Sequence, residues 1–117
     1  MPTITLPLKS MPAPRPSQGK HGYYYRGDYT DFKSTAVAMV RKQSAAFSSL
    51  DFDKPLTFEV ILCGKLRGDL DNCLKAVLDI CAEALNFSDT MQSVRHVSAT
   101  YQPKDNDEII ITINQWR

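Results

Sequence analysis

The fold of this chain is decided by residues 55–85, which read PLTFEVILCGKLRGDLDNCLKAVLDICAEAL. The first part, Pro55–Lys65, alternates apolar side chains and is rich in β-branched residues, a pattern that predicts a strand. From Asp69 to Leu85 the apolar residues recur at helical spacing and mark one stripe. The stretch therefore predicts a strand, a short turn at residues 66–68 and an amphipathic helix in direct succession.

The remaining elements are predicted from the same two periodicities. Strands are expected at residues 3–8, 22–25 (GYYY), 94–102 and around 109–113, and a helix is expected at residues 30–48. The last two strands are close enough in sequence to form an antiparallel hairpin. The resulting order, β-β-α-β-α-β-β, predicts an α/β fold of the two-layer α+β type: a mixed β-sheet with two main helices packed on one face.

Length and charge bound the class of protein. A chain of 117 residues suits a single domain, residues 1–117, with one core. Its formal net charge of +1 predicts no strong overall attraction to nucleic acid. The charge is uneven, however, because Lys9, Arg15 and Lys20 precede every carboxylate in the chain. Residues at about 9–21 are therefore predicted to form a basic, proline-rich arm, with a solvated linker as the plainer interpretation.

The cysteines and histidines limit the kinds of site that this sequence predicts. Three cysteines without a CxxC pair, two of them on the apolar side of the predicted helix, indicate buried free thiols. With no signal peptide and no apolar run of membrane-spanning length, we expect a cytoplasmic protein and no membrane partner. His21 and His96 lack the spacing of metal ligands. No phosphate-binding glycine loop occurs, so no nucleotide cofactor is expected.

The acidic residues at the start of the predicted helix have two interpretations. Asp69 and Asp71 flank one leucine, and the plainer hypothesis, favoured by composition alone, is that they cap the helix. Capping requires only one of them, however. It leaves unexplained Asn72, the series Asp71, Lys75 and Asp79 on one helix face, and the arrival of Asp89 just after the helix.

A magnesium site would explain all of these residues together. Mg²⁺ is usually held by one or two carboxylates plus a substrate phosphate, and it assists in-line displacement at phosphorus. Lys75 beside such a cluster would contact the phosphate, although a surface ion pair of little energy is the plainer interpretation. Asn72 and Asp79 are expected beside the metal ligands, with Asp79 orienting Lys75.

The run Asp69-Leu70-Asp71-Asn72, followed by Lys75-Ala76 and Asp79, resembles the signature of the RusA-type Holliday junction resolvases. These are small endodeoxyribonucleases that phages and prophages often encode, and the layout of most of the chain is similar to theirs. The resemblance implies a homodimer that binds a four-way DNA junction and cuts two opposing strands symmetrically, using Mg²⁺ or Mn²⁺. The family's catalytic carboxylates carry over onto Asp69 and Asp71, and its functional lysine onto Lys75.

The third carboxylate of the family corresponds to Asp89. The family commonly has two adjacent acids followed, after one residue, by glutamine, and the matching stretch here is Asp89-Thr90-Met91-Gln92. Thr90 stands where the second acid would be, so only Asp89 can serve as the third metal ligand. The modest net charge leaves DNA binding to local basic patches, which are expected to contain Arg15, Lys20, Lys65 and Arg67.

Two other functions stay open at this point. The Thr90 departure favours a module that binds branched or single-stranded DNA without cutting it. The capping hypothesis favours a dimeric scaffold domain. The tyrosines at residues 23–25 are expected to place at least one ring on an exposed face, where stacking or phosphate contact is an alternative to core packing.

Overall fold

The structure, a computed structural model, describes residues 2–14, 19–66 and 68–117, and the side chains of residues 19–26 lie outside this description. Its strands are β1 (Thr3–Leu6), β2 (Leu56–Cys63), β3 (Val94–Gln102) and β4 (Glu108–Gln115). Its helices are α1 (Gly19–Lys42) and α2 (Leu70–Leu85), and a short 3-10 helix follows α1 at Ser44–Phe47.

The strands form one mixed sheet in the order β1-β4-β2-β3. β2 is parallel to β3 and antiparallel to β4, and β1 is antiparallel to β4. Alternate residues of β2 and β4, such as Phe58, Val60, Ile109 and Ile111, are buried on one face, in a core shared with buried residues of both helices. The predicted fold class is confirmed: a two-layer α+β fold with a mixed sheet and two helices.

Helix α2 buries half of its predicted apolar stripe. Cys73, Val77 and Cys81 are buried, whereas Leu74, Leu78 and Leu85 are partly buried against the core. Ile80, which lies outside the predicted stripe, is fully buried. The helix ends at Asn86, whose left-handed backbone (φ 59°) lets its N–H group donate to the carbonyl oxygen of Ala82. Asparagine tolerates this conformation better than most residues, which accounts for the stop.

The strand predicted at residues 22–25 is wrong, because these residues lie within α1. Tyrosine is common in strands, but this preference reflects packing on a half-buried sheet and yields to context. Helix α1 thus starts well before the predicted residue 30 and includes the end of the predicted basic arm, residues 19–21. It also ends earlier than predicted, at Lys42, with the 3-10 helix taking up the remainder.

The predicted hairpin of the last two strands is also wrong. β3 and β4 are separated by β2, which pairs with both of them. A parallel pair such as β2 and β3 needs a crossover connection, and α2 supplies it. The loop at residues 103–107 must therefore cross the end of β2 to reach β4. This crossing places the loop against the connection between β2 and α2.

Candidate metal and nucleic-acid site

Asp69 occupies the N-cap position of α2 but does not perform the capping that its position suggests. Its backbone is extended (φ −87°, ψ 135°), as an N-cap residue requires, yet its side chain makes no capping hydrogen bond. Both Asp69 and Asp71 are exposed. A side-chain capping hydrogen bond therefore does not explain the Asp69 carboxylate, which lies at a helix start that favours negative charge.

Asp71 lies in the first turn of α2, where its Oδ1 accepts a hydrogen bond of 3.0 Å from the backbone N–H of Asn72. The charges of Asp69 and Asp71 both act on Cys73: the pKa of this thiol is raised chiefly by burial and further by the two carboxylates. Both carboxylates therefore lie near the Cys73 thiol at the start of α2.

Lys75 contacts Asp79, one turn further along α2. Lys75 Nζ lies 3.4 Å from Asp79 Oδ1, and the lysine side chain is 62% exposed. An exposed pair of this kind contributes little to stability. Its consequence is orientation, because it fixes where the lysine ammonium lies relative to the carboxylates.

Asp89 lies with this second pair. The pKa of its carboxyl is raised by partial burial and by the negative charge of Asp79, and the positive charge of Lys75 opposes the shift. Asp71 and Asp79 are separated by about 12 Å along the helix axis, at 1.5 Å per residue. The acids consequently fall into two parts, Asp69 and Asp71 at the start of α2 and Asp79 with Asp89 further along, and Lys75 belongs to the second part.

This arrangement fits a divalent cation at Asp69 and Asp71. Within the described residues no group of three or more His, Cys, Asp or Glu side chains is placed to hold a metal ion. Two exposed carboxylates on one turn are nevertheless a donor set that suits Mg²⁺, which takes its remaining ligands from water and phosphate. Asp89 is not grouped with them here.

Tyr29 lies near Asp79 and is not among the predicted site residues. This residue of α1 is half-buried, and its ring centroid lies 6.1 Å from that of Phe32. Burial first, and the charge of Asp79 second, raise its pKa to about 12, so its phenol group stays protonated at neutral pH. Tyr29 precedes the helix predicted at residues 30–48, so the predicted periodicity does not include it.

The first half of the predicted arm packs against the start of α2 and is not a solvated linker. The backbone N–H of Ala13 donates to the carbonyl oxygen of Asn72 (3.1 Å), and Pro12 lies beside Gly68. Ser10 is buried beside Cys73, and its hydroxyl lowers the pKa of that thiol against the larger effect of burial. The Ser10 oxygen has no partner in good hydrogen-bond geometry among the described residues. Proline and serine in this segment gave no sign of this docking.

The predicted DNA-binding residues are described only in part. Lys65 is exposed in the turn that leads to Asp69. Lys20 lies in α1, but its side chain is outside the described part of the chain, as are the whole of Arg15 and Arg67. Of the four predicted DNA-binding residues, Lys65 is thus the one whose side chain the structure describes.

Comparison with known proteins leaves the family open. The chain matches no protein-family model, and no curated protein is significantly similar to it. No helix in the described residues combines the length and apolar character needed to cross a membrane.

Proposed function

We propose that this protein is a RusA-type, Mg²⁺-dependent endodeoxyribonuclease that resolves four-way DNA junctions by paired, symmetric cleavage in recombination and repair. It would act as a homodimer in the cytoplasm of a bacterium, encoded by the host or by a phage, and Mn²⁺ would substitute for Mg²⁺. The proposal keeps the roles predicted for Asp69, Asp71 and Lys75.

The observation that carries the proposal is the exposure of two acids, Asp69 and Asp71, at the start of α2. Asp69 is the N-cap residue, and Asp71 lies in the first turn. A helix needs one capping group, so two exposed acids at its start call for a different explanation. A hard divalent cation shared with a phosphate supplies one.

The remaining residues of the site suit phosphodiester chemistry. A bound cation supplies Lewis-acid stabilisation of the charge that develops on the phosphate. The Lys75 ammonium lies 3.4 Å from Asp79, one turn along α2 from Asp71, and would contact the scissile phosphate from there. Asp89 would join when the DNA phosphate and the cation draw the two parts of the site together. Lys65 would bind the backbone beside the cut.

A homodimer supports the symmetry of the reaction. Two cuts related by a two-fold axis need two sites with the same relation, and an isologous dimer provides them. The three cysteines are buried and free, which suits a reducing cytoplasm.

The proposal is tested with a synthetic four-way junction and Mg²⁺. The parent is expected to make paired nicks at symmetric positions, and Asp71→Asn to cut at least about 100-fold more slowly because a metal ligand is weakened. Asp53→Asn is the matched control, since this exposed acid precedes β2 at the opposite end of the strand from the site turn. Cleavage by Asp71→Asn at the parent rate would contradict the proposal.

A second candidate function is binding of branched DNA without cleavage. It is favoured by the position of Asp89 with Lys75 and Asp79 and by Thr90 in place of a second acid. Tight junction binding with no nicks from the parent, in Mg²⁺ or Mn²⁺, would select this candidate. A protein that shows no junction preference would leave the scaffold hypothesis.

A further inference from the structure

Tyr101 joins the edge strand β3 to the turn that carries the acidic site. Its phenol hydroxyl donates a hydrogen bond of 2.7 Å to the carbonyl oxygen of Gly64 and accepts one of 3.4 Å from the backbone N–H of Leu66. One side-chain group thus bonds to two backbone groups of the same turn. Tyr101 pairs with Leu62 of β2, and its side chain extends past the end of β2 to the turn that follows it.

The same turn is held by two further contacts. The backbone N–H of Gly64 donates to the carbonyl oxygen of Gln102 (3.2 Å), next to Tyr101. On the other side the carboxylate of Asp107 lies directly against the Cα of Gly64, which has a φ of +125°. Gly64 is therefore fixed between the loop that crosses it and β3, and Tyr101 extends this fixed region to Leu66.

The turn determines where Asp69 lies. Leu66 packs partly buried against the core, and Asp69 follows three residues later as the N-cap of α2. On the helix side, the carbonyl oxygen of Asp69 accepts a hydrogen bond of 3.2 Å from the backbone N–H of Cys73, and that of Asn72 accepts one from Ala13. On the strand side, the Gly64–Leu66 turn holds the chain that leads to Asp69. A metal ligand placed in this way depends on the groups that hold its backbone.

We propose that Tyr101 is a positioning residue for the Asp69–Asp71 site: its hydroxyl holds the Gly64–Leu66 turn, and thereby sets the spacing of the two carboxylates that bind the cation. The inference rests on the proposed metal-dependent function. It assigns to a residue of β3, the edge strand beside β2, a role in cation binding rather than in DNA contact.

Tyr101→Phe removes only the hydroxyl and tests this role. The Mg²⁺ concentration for half-maximal junction cleavage is expected to rise about tenfold, the effect typical of losing a group that orients a metal ligand. Junction affinity measured in EDTA is expected to stay within about twofold of the parent. In hydrogen exchange followed by NMR, the Leu66 amide is expected to exchange faster in the variant.

Thr112→Val is the matched control. It also removes one hydroxyl, which contacts the Thr3 hydroxyl at 2.9 Å on strands away from the site. A purely structural loss would lower the Tm of both variants and leave the Mg²⁺ dependence of both unchanged. The inference requires that the Mg²⁺ dependence move in Tyr101→Phe alone, measured well below both Tm values.

The outcomes separate this inference from the proposed function. If the parent cuts and Tyr101→Phe has the parent's Mg²⁺ dependence or Leu66 exchange rate, the inference is overturned while the nuclease stands. If the parent does not cut, the nuclease proposal fails, and Mn²⁺ broadening of the NMR signals of residues 69–72 decides the inference. Broadening in the parent that weakens in Tyr101→Phe at equal Mn²⁺ supports it, and equal or absent broadening overturns it.

Discussion

At the scale of single residues, Asp69 gives the clearest test between the helix-capping hypothesis and the metal-binding hypothesis. Serine caps a helix about as well as aspartate but is a poor ligand for a divalent cation. We therefore expect Asp69→Ser to change the free energy of unfolding by less than about 0.5 kcal/mol and to slow junction cleavage by about 100-fold or more. Urea unfolding and cleavage rates measure the two effects. A variant that cuts at the parent rate would show that Asp69 does not bind the cation.

Asp89 gives a prediction through its titration. Its folded-state pKa is raised above the ordinary 3.8 by partial burial and by Asp79, against the opposing charge of Lys75. As pH rises, the unfolded chain loses this proton first, so stability falls between the unfolded and folded pKa values and stays lowered above both. Asp89→Asn lacks this titration. Without metal, its Tm relative to the parent should be higher at pH 7 than at pH 3.

The same variant tests whether Asp89 binds the cation. Mg²⁺ stabilises the state that binds it, so a ligand role predicts a larger rise in Tm with Mg²⁺ for the parent than for Asp89→Asn. Calorimetry at pH 7 with and without Mg²⁺ measures this. An equal rise in both proteins would remove Asp89 from the metal site, and a Tm difference independent of pH would contradict the titration argument.

At the scale of elements, the part of the fold that could be predicted is the part that local pattern determines. The strand–turn–helix of residues 55–85 and the buried isoleucines of β4 follow directly from periodicity. The hairpin prediction is wrong because strand adjacency in sequence does not reveal that β2 inserts between β3 and β4. Residues 22–25 are helical because tertiary context outweighs the strand preference of tyrosine.

The residues of the site also fall into those that local pattern predicts and those that packing between elements decides. The spacing of Asp69, Asp71, Lys75 and Asp79 on one helix is a local matter, and the structure places them as the helical period requires. The contributions of Tyr29, Tyr101 and residues 10–14 depend on which elements pack together. A single sequence does not state that packing, so these residues became visible only in the fold.

The crossing of the 103–107 loop over β2 makes a prediction at this scale. A Cβ at Gly64 would collide with the Asp107 carboxylate, and its φ of +125° disfavours any L side chain. Gly64→Ala should therefore lower the free energy of unfolding by about 2 kcal/mol or more. Gly27, within α1, has nothing within 4 Å of an added Cβ. Gly27→Ala should instead stabilise by about 0.5–1 kcal/mol.

Urea unfolding of both glycine variants measures this contrast. The opposite signs follow from backbone conformation and from the Asp107 approach, since the chemical change is the same in both proteins. A Gly64→Ala variant as stable as the parent would show that the 103–107 loop does not cross β2 as closely as described. It would also weaken the case that Tyr101 and Asp107 fix the turn.

At the scale of the whole molecule, the net charge of +1 means that DNA affinity must come from a few local cations. Each phosphate contact makes the slope of log K against log salt more negative by about 0.9. Lys65 is exposed in the site turn, so Lys65→Ala should make the slope for junction binding shallower by about 0.9 for each bound protomer. A symmetric dimer on one junction doubles the change to about 1.8.

Filter binding between about 50 and 200 mM salt, in EDTA to prevent cleavage, measures the slope. Lys54→Ala is the matched control, because this exposed lysine precedes β2, at the opposite end of the strand from the turn, and should leave the slope unchanged. A change of about 0.9 would indicate one protomer on each junction, and a change of about 1.8 would support the dimer. An unchanged slope would show that Lys65 does not contact a DNA phosphate. It would also contradict a DNA path over the site turn.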